Sequence, residues 1–152
     1  MSNNNNKRRY HVPQTQPDTV FRILCPAAKS DSLLSLSGDG VKILIDDFAG
    51  DVTSSDDRIV VIISEESAAQ LALIRVFERM VEKDNNEENN KKSVGCRLVA
   101  PSYQVGCVLG RGGKIIEKIR LESGAQVRIL PKDHSPIPPP PGDEFIQVFF
   151  LS

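Results

Sequence analysis

One short pattern occurs twice in this chain of 152 residues: Phe21-Arg22-Ile23-Leu24-Cys25-Pro26 returns as Cys96-Arg97-Leu98-Val99-Ala100-Pro101, 75 positions later. Each copy is a brief apolar run closed by a proline, which cannot donate to a sheet ladder, so each reads as a strand that ends where the next element begins. A repeat of that period implies two versions of one small supersecondary unit. The length accommodates two such modules and excludes a large multidomain enzyme. Ten Gly, ten Pro and no Trp fit small elements separated by many turns. No stretch approaches the roughly 18 apolar residues of a membrane span, and Met1 is followed by Ser-Asn-Asn-Asn-Asn rather than an apolar signal core. The expectation is an intracellular chain without a membrane partner.

The repeat divides the chain into four parts. Residues 1–18 are Asn-rich, with Lys7, Arg8 and Arg9 and two prolines. They are too polar to offset the entropy of ordering and read as a disordered tail. The first module is expected over 19–83, with strands from Val20, over Val41 to Ile45 and over Arg58 to Ser64, then a helix from about Ser67 to Lys83. Ser67 and Gln70 have capping-box spacing, Glu65 and Glu66 suit the positive helix start, and Ala68, Leu71, Ala72 and Ile74 continue an apolar face. Residues 84–92, Asn, Asp, Glu and Lys only, read as a solvated linker. The second module, 93–152, is expected to run strand, short helix Ser102 to Leu109, glycine-rich break, helix ending at Gly124, strand Gln126 to Leu130, a Pro-rich loop over 132–143, and a final strand Phe145 to Leu151.

Charge is distributed unevenly between the modules. Thr19 to Lys92 holds nine basic and fourteen acidic residues, whereas Ser93 to Lys132 holds seven basic and two acidic ones. An anion-binding surface is therefore expected in the second. Cys25, Cys96 and Cys107 lack metal-type spacing and sit among apolar residues, so they read as buried thiols, and no metal or cofactor is expected. His11 and His134, in tail and loop, meet no nucleophile and orienting acid at catalytic spacing, and no enzyme is expected.

The informative segment is Val108-Leu109-Gly110-Arg111-Gly112-Gly113-Lys114-Ile115-Ile116. Glycines admit a ligand's phosphates against the backbone N–H groups, the following helix start adds partial positive charge, and Arg111 and Lys114 add full charges. A sharp helix–helix turn would explain one or two glycines; three beside two bases point to an anion. A P-loop is excluded, because Val108 stands where its first glycine belongs and Ile115 where its hydroxyl belongs. A dinucleotide fingerprint starting at Gly110 would need glycine at Ile115 and a parallel sheet.

The same segment resembles the signature loop of the K homology (KH) domain, hydrophobic-Gly-x-x-Gly-hydrophobic between two helices, and Ser123-Gly124-Ala125 and the element order of 93–151 agree with it. The chain is similar to type I KH proteins of the poly(C)-binding and plant multi-KH branch. The resemblance implies an α+β fold, a three-stranded antiparallel sheet packed against helices, here in two incomplete copies. It also implies single-stranded nucleic-acid binding, four nucleotides at a time, with the loop holding the backbone. By position, Gly110, Arg111, Gly112, Gly113 and Lys114 meet phosphate. Val105, Val108, Leu109 and Ile116 form an apolar floor or plain core. Gln126 and Arg128 border the groove from one face of their strand, opposite Val127 and Ile129. Arg128 is the candidate base reader, a donor suited to cytosine or guanine acceptors rather than adenine.

The first copy departs from this pattern. Ser30 to Gly40 is about nine residues shorter than its counterpart, contains no Gly-x-x-Gly, and puts Asp39 where phosphate would arrive. The second copy is expected to lack a covering third helix. Either the helix near 67–83 covers part of both sheets, or the chain is a truncated isoform of a multi-KH protein, the reading that the apolar end Phe149-Phe150-Leu151 favours. The expected function is single-stranded RNA binding through the second module in post-transcriptional regulation, with C-rich RNA and single-stranded DNA as candidate ligands, in the nucleus and also the cytoplasm. The competing expectation is a protein-interaction scaffold, self-associating or binding proteins through exposed sheet surface.

Overall fold

The computed structural model describes residues 18–46, 57–82, 94–131 and 139–150. The expected tail up to residue 17 with its Lys-Arg-Arg, the linker 84–92, most of the Pro-rich loop, and both histidines lie outside the described residues. Eight-residue strand β1 (Thr19–Pro26) leads into α1 (Ala27–Leu34), then β2 (Lys42–Asp46), β3 (Asp57–Ser64) and α2 (Glu66–Val81). The second module repeats the opening with β4 (Val94–Pro101) and α3 (Ser102–Leu109). A single 3-10 turn (Arg111–Gly113), α4 (Lys114–Ser123), β5 (Gln126–Leu130) and β6 (Asp143–Phe150) complete it. The α+β class is as the sequence implies, but α1 is a correction to the reading of the first module, which placed only strands ahead of its closing helix: the repeated proline ends β1 and the chain winds into a short helix as it does after Pro101. Among the described residues no helix is long and apolar enough to cross a membrane.

The two three-stranded sheets join edge to edge into one antiparallel sheet of six, ordered β2-β3-β1-β4-β6-β5. The seam is the repeat itself. Ile23 pairs with Leu98 across β1 and β4, and these are equivalent positions of the two copies, the mark of a local two-fold axis. Two ion pairs flank it with the same symmetry. Arg22 reaches Asp143 at 2.7 Å, and its equivalent Arg97 lies 3.7 Å from Asp57. Both aspartates stand opposite the prolines that close the repeated strands. The Arg22 guanidinium is held above its usual pKa, chiefly by the hydrogen bond to Asp143.

Alternation along the strands sends one set of side chains toward the helices. In the first module Ile23, Cys25, Val60 and Ile62 pack with Leu33, Ala72 and Val76. In the second, Val127 and Ile146 pack with Val105, Ile116 and Ala125. Leu98 touches both clusters, and Cys96 joins the first, so part of β4 completes the core beneath α2. The opposite face carries a third buried cluster of Leu24, Ile59, Val99 and Phe145 across the seam. That two-sided burial explains why β1 and β3 read as continuous apolar runs rather than alternating ones.

Two more expectations need correction. The cap of α2 is Glu65, whose carboxylate accepts from the Ala68 N–H at 3.0 Å. β3 ends at Ser64, leaving Glu65 extended ahead of the first turn, so Ser67 already lies inside the helix. The thiols are not all buried: Cys25 is, Cys96 is half-buried and Cys107 is exposed on α3. Cys107 occupies the solvent side of a helix whose inward position is Val105. At the other end of α2, Lys29 Nζ donates to the Met80 and Glu82 carbonyls at 2.9 and 2.7 Å, tying α1 to carbonyls that the helix leaves unpaired.

Candidate nucleic-acid interface

α3 stops at Leu109 because Gly110 takes φ 70° and ψ −180°, a region essentially restricted to glycine. Its N–H still donates to the Gly106 carbonyl at 3.0 Å. A Cβ there would lie 2.5 Å from Cγ1 of Ile115, so the position also lets the start of α4 close onto the loop. Gly112, at φ 63° with nothing within 4 Å of a built Cβ, is glycine for its backbone and faces open space. Gly113 precedes α4 in the left-handed conformation, and no side chain caps the helix. The Gly113 and Lys114 N–H groups donate within the loop, to the Gly110 and Arg111 carbonyls, and the amides that follow at the start of α4 have no side-chain acceptor, the place where a ligand or water serves a helix start. Arg111, Gly112 and Lys114 are exposed. One carboxylate, Glu117, stands in the first turn of α4.

The sequence-predicted residues separate into three groups. Gly110 to Lys114 come together as one exposed cationic loop. Val105 and Ile116, at 2% and 4% exposure, belong to the core beneath it and offer no surface to a base, while Val108 and Leu109 are half-exposed beside the loop. Gln126 and Arg128 are exposed, but on the sheet face away from the helices: the Arg128 guanidinium carbon sits 5.9 Å from the ring centroid of Phe149, and Val127, between them, points into the core.

Sequence reasoning passed over Arg120. From the last turn of α4 its Nε and Nη2 both donate to the Val127 carbonyl, at 3.0 and 2.7 Å. Among the described strands β5 pairs with β6 alone, and the fork ties α4 to this edge strand. The signal was faint: a basic residue in a last turn usually serves the helix end. Ser123 Oγ reinforces the corner by accepting from the Ala125 N–H at 3.1 Å.

The first module has no such surface. α1 is followed by a tight turn in which Gly38 and Val41 exchange backbone hydrogen bonds at 3.1 and 2.9 Å. Asp39 at its tip has φ 52°. The counterpart of α4 is absent from this copy, and with it the loop between two helices.

Residues 95–149 match the family model described as the KH domain. KH domain-containing protein HEN4 of Arabidopsis thaliana is 28% identical over 86% of this chain and 17% of its own length. RNA-binding KH domain-containing protein PEPPER of Arabidopsis thaliana is 30% identical over 78% of this chain and 28% of its own. Far upstream element-binding protein 2 of Homo sapiens is 28% identical over 78% of this chain and 19% of its own. The chain spans less than a third of each of these relatives.

Proposed function

Since the chain is a KH-domain protein, with its KH domain over residues 95–149, we propose that it binds single-stranded RNA through the loop Gly110 to Lys114 of the second module and takes part in post-transcriptional regulation without catalysis. One observation carries this reading. Three left-handed or glycine-only backbone positions lie together between two helices, flanked by exposed Arg111 and Lys114. That geometry brings a phosphodiester backbone against peptide N–H groups and two cations. Relatives whose names include RNA-binding support the ligand class. The first module, in this reading, serves as a structural unit that occupies the β4 edge. Pyrimidine-rich and in particular C-rich RNA is the proposed ligand.

Filter binding of the full chain to a pyrimidine-rich oligonucleotide at several salt concentrations tests it. Two or three phosphates at about 0.7 each give a log–log slope of about −1 to −2. A second reading, a protein-binding scaffold, draws on the exposed pair Val94 and Phe150 at the open end of β4 and β6, 42% and 46% exposed. Absence of RNA binding, or a slope near zero, would favour it.

A further inference from the structure

The face of the second module's sheet that turns away from the helices is ordered in rows. Val99, Phe145 and Leu130 form a half-buried to fully buried apolar row beside the seam. Next come Arg97, Gln147 and Arg128, directly opposite one another on β4, β6 and β5. Beyond them stand Gly95, Phe149 and Gln126. A depression of about 290 Å³ is lined by Gly95, Cys96, Arg97, Gln147 and Phe149, with Arg128 placed over the Phe149 ring.

Part of this has a packing explanation. A Cβ on Gly95 would lie 2.7 Å from the Phe149 Cβ, so glycine lets the two strands approach and the ring covers the bare backbone. Packing does not account for the middle row. The equivalent row of the first module is Leu44, Val61 and Arg22, with Arg22 taken up by Asp143. In the second module two guanidinium groups flank an amide, and among the described residues Arg97 alone of the two has an acid within ion-pair distance, Asp57 at 3.7 Å.

We propose that this outer face is a second contact for the same nucleic-acid strand. A base stacks on the outer plane of the Arg128 guanidinium, which the Phe149 ring supports from beneath, Gln147 faces its hydrogen-bonding edge, and Arg97 takes the adjoining phosphate. Ring and guanidinium faces accept any base, and an amide both donates and accepts. The path is short, because Arg128 lies on β5, the edge strand whose opposite face, through Val127 and Ile129, packs toward α3 and α4. A strand leaving the loop side crosses one strand edge to arrive here. This inference rests on the RNA-binding reading and extends the length of RNA engaged.

Fluorescence anisotropy of the full chain with labelled oligocytidylates of four and ten nucleotides tests it. The ten-mer should bind at least about tenfold more tightly than the four-mer. Gln147→Glu, which sets a carboxylate between the two cations, and Phe149→Leu, which keeps the apolar contact but removes the ring, should each weaken the ten-mer about fivefold or more and change the four-mer by less than twofold. A ten-mer carrying 5-iodouracil beyond its fourth position should photocrosslink to the peptide containing Phe149 in the unaltered protein, a readout that does not depend on a variant folding. Equal loss for both lengths, or no loss and no crosslink, overturns the proposal; the latter leaves the face to protein contacts. If Arg111→Asp with Gly112→Asp abolishes four-mer binding while the outer-face variants leave the ten-mer unchanged, the loop reading stands and this one falls. If the loop variant binds normally and the outer-face variants still weaken the ten-mer, the reverse holds.

Discussion

The two modules share a strand pattern, a seam and a pair of arginines, and they diverge at the end of the first short helix. After α1 the chain turns within Gly38-Asp39-Gly40 and returns to the sheet; after α3 it passes through three glycines into α4. Both routes use left-handed backbone. In the first the freedom is spent on a hydrogen-bonded turn with an acid at its tip, in the second on an open loop with bases on either side. The sheet forms with or without the insertion, and the proposed anion-binding loop lies wholly within the segment that the first module lacks. The largest expected effect tests that division. Arg111→Asp with Gly112→Asp should weaken RNA binding by about 100-fold, while the melting temperature moves little, since both sites are exposed and aspartate is among the residues that tolerate positive φ. Asp39→Lys in the first module should create no binding, because the turn there offers no free helix start. Binding gained by Asp39→Lys would show that charge alone, rather than loop geometry, makes the site.

A second contrast concerns what each glycine does. Gly110→Ala should destabilise by about 2–3 kcal/mol, combining a glycine-only backbone region with the 2.5 Å approach of Ile115. Gly40→Ala, with nothing within 4 Å of its Cβ, should cost about 1 kcal/mol from backbone strain alone. Urea unfolding of the two variants measures the difference, and equal losses would mean that the start of α4 shifts freely to make room.

The seam invites a third comparison. Arg22 and Asp143 are only 20% and 13% exposed and 2.7 Å apart, whereas Arg97 and Asp57 are 32% and 27% exposed at 3.7 Å. Removing one partner of the closer pair strands a partly buried charge, so Arg22→Ala should cost about 2 kcal/mol. Arg97→Ala should cost under about 1 kcal/mol. Double-mutant cycles with Asp143→Asn and Asp57→Asn separate the pair energies from lost packing, and equal coupling would show that the local two-fold extends to energetics.

These contrasts also show what the sequence could reveal. Strand positions were legible from their β-branched runs and closing prolines, the end of α4 from Gly124, and the loop from three glycines beside two bases, because each is a local consequence of backbone preference. The joining of two sheets into one was not legible. The Ile23–Leu98 pairing depends on edge strands that are far apart in sequence, and nothing in either strand marks which edge will be covered. Arg120 was missed for the same reason, its acceptor being a carbonyl on another element. For Arg128 the period of two gave the correct face of β5, opposite Val127, and only the fold shows that this face looks toward Phe149 rather than toward the loop. Val105 and Ile116 were ambiguous because a groove floor and a core have the same composition; in the structure both are buried.

The smallest expected effect separates the thiols. Cys25 on β1 is fully buried and Cys107 on α3 is exposed, so a thiol reagent should titrate Cys107 rapidly in the native protein and Cys25 only as the chain unfolds. Burial, reinforced by the neighbouring Asp57 and partly opposed by Lys29, pushes the Cys25 pKa up to about 11 from an ordinary value of 9.0. The folded chain therefore keeps a proton that the unfolded chain releases between those two values. The stabilisation from holding it is fully present below pH 9 and is lost as the pH climbs toward 11. Cys25→Ala removes this titration and leaves a small cavity, so the variant should melt lower than the parent at pH 8, and the gap between them should narrow by pH 10.5. A gap that stays constant over that range would mean that Cys25 ionises as readily in the folded chain as in the unfolded one, and that the core beneath β1 admits water.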